Sequence, residues 1–334
     1  MKPEGRSSFR AFWVERTGER FFAGVRELPA EALPEADVTV RVEYSSLNYK
    51  DALATRPDGR VVRRYPMVAG IDLAGRVVDS RDPRFRPGEE VLATGYELGV
   101  AHFGGLAEYA RLPGDWLLPI PEGWGPREAM TLGTAGLTAG LAVERLEQLG
   151  LGPGDGPVLV TGASGGVGSL AVALLAARGY RVAASTGKAE ADAYLRQLGA
   201  EEVLERAATS ASSSKALESQ RWAAAVDPVG GETTAYLLRT LRYGGALALV
   251  GLAGGAELRT SVHPFILRGV TLAGIDSAYA PVELRRRVWR RLAAELPAVV
   301  LERVRAAEVG LEGVAEAAAS LLRGEVRGRV LVRL

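Results

Sequence analysis

The chain contains no cysteine. That absence excludes disulfides, thiolate metal sites, iron–sulfur clusters and a cysteine nucleophile. Histidine is almost as scarce: His102 and His263 are the only two, far apart, and no ligand pair shows helical or turn spacing. Zinc held by histidine and carboxylate is disfavoured by that spacing. No apolar run approaches the roughly 20 residues of a spanning helix, so no membrane partner is expected. The opening Met1-Lys2-Pro3-Glu4-Gly5-Arg6 is polar and leads into no signal-peptide core, from which a cytoplasmic location is expected. Net charge is nearly missing too. Forty-one Lys and Arg against 40 Asp and Glu leave +1, which offers no field for nucleic acid. Chemistry must then come from hydroxyls, carboxylates, lysines or a bound organic cofactor.

What is present is ordinary globular composition, 47% hydrophobic and 24% charged over 334 residues, enough for two domains with cores of their own. Asp37 to Tyr44 alternates with period two, as a half-buried strand does. Shorter strand signals follow at Ala74–Val78, Glu89–Ala93, Leu106–Leu112 and Trp116–Ile120, separated by Gly and Pro, which suggests a partly open β-barrel. Pro126 to Leu149 reads as a helix interrupted around Gly133-Thr134-Ala135-Gly136. From Pro157 strands and helices alternate, the βαβ rhythm of a doubly wound parallel sheet in an α/β fold. The Ser-rich tract Thr209–Ser214 reads as a mobile loop. After about residue 275 the rhythm stops, giving helices over Pro281–Leu296 and Leu311–Arg323 and a closing strand at Gly328–Leu334.

The sharpest local signal is Val160-Thr161-Gly162-Ala163-Ser164-Gly165-Gly166-Val167-Gly168. A strand enters it, and a helix with an apolar stripe at Val167, Leu170, Ala171, Leu174 and Leu175 leaves it. Glycines there let backbone N–H groups approach a pyrophosphate in the positive field of the helix N-terminus. A purely structural glycine turn is the bland reading, but it would not need the second strand that follows.

That second strand ends in Ser185-Thr186-Gly187-Lys188. An NAD enzyme usually carries an acid at this point for the ribose 2′-hydroxyl. A hydroxyl and a lysine instead suit a 2′-phosphate, so NADPH is expected.

Taken together, Ser45-Ser46-Leu47-Asn48-Tyr49-Lys50-Asp51-Ala52-Leu53, the glycine turn, Gly133–Gly136 and Pro264-Phe265-Ile266-Leu267-Arg268 resemble one branch of the medium-chain dehydrogenase/reductase superfamily. That branch is the YhdH/YhfP-type quinone oxidoreductases, which include acrylyl-CoA reductases. The resemblance implies a GroES-like catalytic domain over 1–127 and 277–334, and an inserted Rossmann domain over 128–276. It also implies an NADPH-dependent oxidoreductase that is zinc-independent and reduces an activated C=C bond. A small enoyl-CoA such as acryloyl-CoA leads the substrates. Quinone reduction, or a redox sensor that only binds NADPH, are the alternatives.

Cofactor contacts are implied at Tyr49, Thr134, Ser164, Gly165, Gly166, Val167, Thr186, Gly187, Lys188, Leu252, Ile266 and Ser277. The family often has arginine where Lys188 stands and again near Glu202, which leaves this chain one cation fewer for the phosphate. A family asparagine is replaced around Leu322-Arg323, so no role is assigned there. Zinc-bearing relatives have Gly-His-Glu where this chain has Gly70-Ile71-Asp72, and Ile71 is no ligand.

Without a metal to polarise a simple alcohol, a conjugated carbonyl is the better substrate, because it spreads developing charge itself. Tyr49 or water is expected to deliver a proton, with Asn48 and Lys50 positioning substrate or cofactor. Asp51 orients one of these groups or caps the helix beginning there. The run Arg285, Arg286, Arg287, Arg290 and Arg291 reads as a solvated helix face or as a rim for substrate phosphates. A homodimer is expected from the family likeness and from the strand at Gly269–Gly274, whose edge needs covering.

Overall fold

The computed structural model describes residues 7–334; the polar N-terminal hexapeptide lies outside the described residues. The chain forms two compact units. One holds the described residues up to Thr134 with Ala278–Arg287 and Arg305–Leu334; the other holds Ala135–Ser277 and Val288–Val304.

In the first unit a hairpin, β1 (Ser8–Thr17) and β2 (Arg20–Pro29), joins β4 (Met67–Val68) in a three-stranded sheet. The second sheet runs β15 (Arg305–Val309), β16 (Arg329–Arg333), β3 (Val38–Leu47), β5 (Asp72–Ser80), β6 (Glu90–Thr94) and β8 (Leu118–Pro119), with β7 (Tyr109–Leu112) also pairing β3. Alternation in β3 explains its core: Val38, Val40 and Val42 bury against Leu73, Val77, Val91 and Leu112. A second cluster packs Phe12, Val14 and Leu47 under α9 (Val314–Leu322), which supplies Val314 and Ala318. The short helix α1 (Tyr49–Ala54) leaves the end of β3 directly.

Helix α2 (Pro126–Gln148) is broken at Gly133, where φ is 52° and ψ is −149°. The unit boundary falls just past this break, rather than at residues 127 and 128 where the sequence places it. The other difference is Val288–Val304, the end of α7 (Val282–Glu295) and all of α8 (Ala298–Val304), which group with the second unit. The packing of the Val288 side chain over Gly140 is one reason.

The second unit is a six-stranded parallel sheet. Its order is β11 (Glu202–Glu205), β10 (Val182–Thr186), β9 (Val158–Val160), β12 (Trp222–Asp227), β13 (Leu241–Leu249), β14 (Thr271–Gly274). Read in chain order this is 3-2-1-4-5-6, the dinucleotide-binding arrangement, with its switch point between β9 and β12. Helices α3 (Gly166–Ala177), α4 (Asp192–Gln197), α5 (Gly231–Thr240) and α6 (His263–Arg268) make the crossovers. Leu159, Ala183, Trp222, Ala225, Leu237 and Leu247 form the core on one face. No helix among the described residues is long and apolar enough to cross a membrane.

Candidate active site

In the second unit the chain leaves β9 through Thr161 and Gly162, whose φ of 52° needs no Cβ. Gly168 sits so near the turn that a Cβ would fall 2.6 Å from the Ala163 Cα. The turn therefore packs tightly on the first turn of α3, whose N–H groups are the natural seat for an anion. Ser164 is buried and its hydroxyl shares a 2.8 Å hydrogen bond with Thr186 at the end of β10, tying the glycine turn to the neighbouring strand. The Thr186 oxygen also accepts from the Lys188 backbone N–H at 3.1 Å, which shapes the Thr186–Lys188 bend. Behind it, Ser185 bonds Thr209 at 2.6 Å, so the residue that opens the Ser-rich tract is buried and held.

Glu202 is spent on Arg221 at 2.8 Å. A cation does stand at the end of β10: the Arg206 guanidinium lies over Gly187, with Cζ 2.6 Å from where a Cβ would stand. Sequence reasoning missed it. The available signal was that parallel strands bring their C-terminal ends together, so an arginine just past β11 lands beside the residue just past β10.

Two apolar side chains expected at the cofactor, Leu252 and Ile266, are 64% and 73% exposed. Thr138 donates to Ser277 at 2.8 Å. Asp227, at the end of β12, accepts from Thr161, Thr234 and the backbone of Val229, which makes it a turn-building residue.

In the first unit a buried polar cluster underlies α1. The Asp72 carboxylate has no exposed surface and accepts from Ser46 Oγ at 2.7 Å, Asn48 Nδ2 at 2.8 Å, Thr134 Oγ1 at 2.5 Å and the Thr134 N–H at 2.9 Å. Arg329, buried on β16, donates to Asn48 Oδ1 at 3.1 Å and Ser46 Oγ at 2.8 Å, and stands 3.8 Å from Asp72. Burial pushes the Arg329 pKa down, and the charges of Asp72 and Asp51 oppose that shift. Gly133 is needed because a Cβ there would collide with Asp72 Oδ2 and Ser46 Oγ.

This cluster revises two of the expected catalytic roles. Asn48 is buried, with its amide used by Ser46, Asp51, Asp72 and Arg329. Asp51 is buried as well. One of its oxygens accepts from the Asn48 N–H at 2.8 Å and the other from the Ile71 N–H at 2.9 Å. Both residues therefore fix the start of α1 rather than reach a ligand. Burial, then the charge of Asp72, raises the Asp51 pKa to about 7, against the lowering effect of its N–H donors. Tyr49, by contrast, is 44% exposed on the first turn of α1, and Lys50 beside it is exposed. Thr134 commits its hydroxyl proton to Asp72, so its oxygen meets any ligand as an acceptor.

Two families of known proteins match this chain: the alcohol dehydrogenase GroES-like domain over residues 34–122 and the zinc-binding dehydrogenase domain over 166–295. YhfP of Bacillus subtilis, named as a candidate quinone oxidoreductase, is 50% identical over 98% of this chain and 99% of its own. The chain belongs to the medium-chain dehydrogenase/reductase superfamily, in its YhfP and acrylyl-CoA reductase branch. The YhfP crystal structure with NAD bound has a TM-score of 0.95 and covers 98% of this chain and 100% of that one. Acrylyl-CoA reductase AcuI of Ruegeria pomeroyi is 49% identical over 97% of this chain and 98% of its own. The yhdH oxidoreductase of Salmonella enterica, crystallised with NADP, is 48% identical with a TM-score of 0.94, over 97% of this chain and 99% of that one. The two units are thus the GroES-like and Rossmann-type parts of a medium-chain enzyme.

The zinc in one family's description does not fit the residues of this member. Ile71 offers no donor, the Asp72 carboxylate is consumed internally, and no cysteine exists. Among the described residues no three His, Cys, Asp or Glu side chains group to hold a metal.

The expected arginine rim also changes. Arg285 is buried under Tyr96, with its guanidinium 4.2 Å from the ring centroid and donating to Thr94, Ala278 and Ala280. Arg286 pairs with Glu283, and Arg291 with Glu147 and Glu295. His102 bonds the Arg111 carbonyl at 2.8 Å, and burial lowers its pKa.

Proposed function

We propose that the chain is a zinc-independent, NADPH-dependent oxidoreductase that reduces an activated carbon–carbon double bond, with a small enoyl-CoA such as acryloyl-CoA as its substrate. The observation that carries the cofactor reading is the end of β10: Thr186, Gly187 and Lys188 with no acid among them, and Arg206 laid over Gly187. Two cations and a hydroxyl suit a 2′-phosphate. The substrate reading leans on the acrylyl-CoA reductase that shares half its residues with this chain.

Ser164, Gly165, Gly166 and Val167 would hold the pyrophosphate, with Leu252, Ile266, Ser277 and Thr134 toward the rest of the cofactor. Bound, the nicotinamide supplies the hydride for the β-carbon. Hydrogen-bond donors, in place of a metal, stabilise charge on the thioester oxygen. Tyr49 delivers a proton to the α-carbon, directly or through water, and Lys50 beside it orients the substrate. Asn48 and Asp51 are positioning residues that set the helix turn carrying Tyr49.

A panel of acryloyl-CoA, crotonyl-CoA, free enones and quinones, followed by NADPH oxidation, tests the reading. Preference for the thioesters supports it. Turnover of quinones alone would replace it with the reading that the name of the Bacillus relative suggests. We further read the chain as a homodimer, because β14 is a sheet edge and the neighbouring Val262 and Leu267 are exposed. A single monomeric species in sedimentation at micromolar concentration would overturn that.

A further inference from the structure

Arg285 is buried and Arg291 is paired with glutamates, which leaves Arg286, Arg287 and Arg290 as the exposed members of the arginine run. The first unit has a second cationic surface, and none of that run lines it. A concavity of about 440 Å³ is lined by Arg63, Arg64, Glu97, Ala101, His102 and Trp116. Arg63 shares its charge with Glu97 at 3.3 Å, and the Tyr279 hydroxyl also donates to Glu97. Arg64 makes no hydrogen bond or ion pair among the described residues and is exposed. Two guanidinium groups face one carboxylate, so the concavity is cationic; burial lowers the His102 pKa there, against the raising effect of its bond to the Arg111 carbonyl.

Its walls are fixed before any ligand arrives. The Arg63 N–H donates to the Val100 carbonyl at 2.8 Å, which ties the loop after α1 to the loop after β6. Trp116 stacks on Tyr96 with ring centroids 5.3 Å apart and planes 4° from parallel. Tyr96 rests in turn on the buried Arg285 guanidinium. His102 meets the Trp116 ring edge-on at 5.1 Å. A partly buried indole held on a rigid stack, beside an arginine with no partner among the described residues, is the pair of features that recognises a nucleobase and its phosphate.

We propose that this concavity seats the nucleotide end of the CoA thioester, with Arg64 and Arg63 on its phosphates and the Trp116 ring beside its adenine. The inference rests on the enoyl-CoA reading above and adds the residues that would select CoA over a short thioester. Binding energy gathered there, remote from the reacting carbons, holds ground state and transition state alike, so it lowers the KM for the CoA thioester and leaves kcat unchanged.

The test uses the full chain saturated with NADP⁺, so that the cofactor site is filled. Adenosine 3′,5′-bisphosphate, the nucleotide half of CoA, is titrated calorimetrically into the wild type, Arg64→Ala and Trp116→Leu. Binding that weakens about tenfold or more in Arg64→Ala and in Trp116→Leu is expected. Unchanged melting temperature and NADPH affinity would show that the variants still fold; Arg64→Ala, on an exposed side chain, serves as the primary variant. No binding to the saturated wild type, binding that only displaces NADP⁺, or equal binding by all three proteins would overturn the proposal. The KM for acryloyl-CoA should rise at least tenfold in Arg64→Ala, with kcat and the KM for the acryloyl-pantetheine thioester unchanged. Wild-type turnover of acryloyl-CoA reads the enoyl-CoA function separately: turnover without any Arg64 effect sinks the nucleotide seat and leaves the function standing.

Discussion

The guanidinium of Arg206 lies over the backbone of Gly187, so that a Cβ at residue 187 would sit 2.8 Å from its Nε. The cause is register: β10 and β11 are parallel with Thr186 opposite Glu205, so the next residue of each strand meets the other. A charge-assisted hydrogen bond from either cation is worth about 1.5–3 kcal/mol. Arg206→Ala should raise the KM for NADPH roughly tenfold or more and leave that for NADH nearly unchanged, and Lys188→Glu should do so more strongly. Because a relative was crystallised with NAD, the ratio of the two constants is the informative quantity. An equal rise for both cofactors would show that neither cation faces the 2′-phosphate.

Arg206 also marks where a linear reading stops. The glycine turn at Gly162–Gly168 was legible because strand, glycines and helix are contiguous in the chain. Arg206 comes beside Gly187 only through strand pairing, which no local pattern near Glu202 announces. A capping role was legible for Asp51, whereas Asn48 read as a group positioning substrate or cofactor; the burial of both comes with Asp72, Thr134 and Arg329, which lie on three distant segments. The arginine run carried a signal that charge alone obscured. Arg285 shares helical spacing with the buried Val288, Trp289 and Leu292, so it sits on the apolar face.

Asp72 is the hub of the buried cluster, and Arg329 relies on it for neutralisation. Asp72→Ala should cost about 3–5 kcal/mol in denaturant unfolding, because it leaves a buried guanidinium uncompensated. Gly133→Ala should also destabilise, by a few kcal/mol, through its left-handed φ and the collision with Asp72. A loss below about 1 kcal/mol in Asp72→Ala would mean the cluster contributes little beyond shape.

Asp51 predicts a pH dependence. Its folded pKa of about 7 lies above the unfolded carboxylate value, so the folded chain holds this proton where the unfolded chain has released it. Its contribution to stability is therefore greatest below about pH 4, declines as pH rises toward about 7, and levels off beyond. Urea midpoints measured across that window should fall less steeply with pH in Asp51→Asn than in the wild type. Parallel profiles would show that Asp51 ionises at an ordinary value.

Tyr49 is exposed on a helix start that the buried cluster holds in place. Tyr49→Phe should lower kcat roughly 10²–10⁴-fold if its hydroxyl is the general acid. NADPH affinity should be nearly intact, which separates loss of a proton donor from loss of fold. Unchanged turnover would assign protonation to water.

The most direct test is isotopic. Acryloyl-CoA is reduced with NADPH carrying deuterium at the transferring position, in ordinary water, and the propionyl-CoA formed is read by NMR. Deuterium on the β-carbon and a solvent-derived proton on the α-carbon are the expected result. Recovery of unreduced thioester, with NADPH oxidised only by quinones or not at all, would contradict the enoyl-CoA reductase reading.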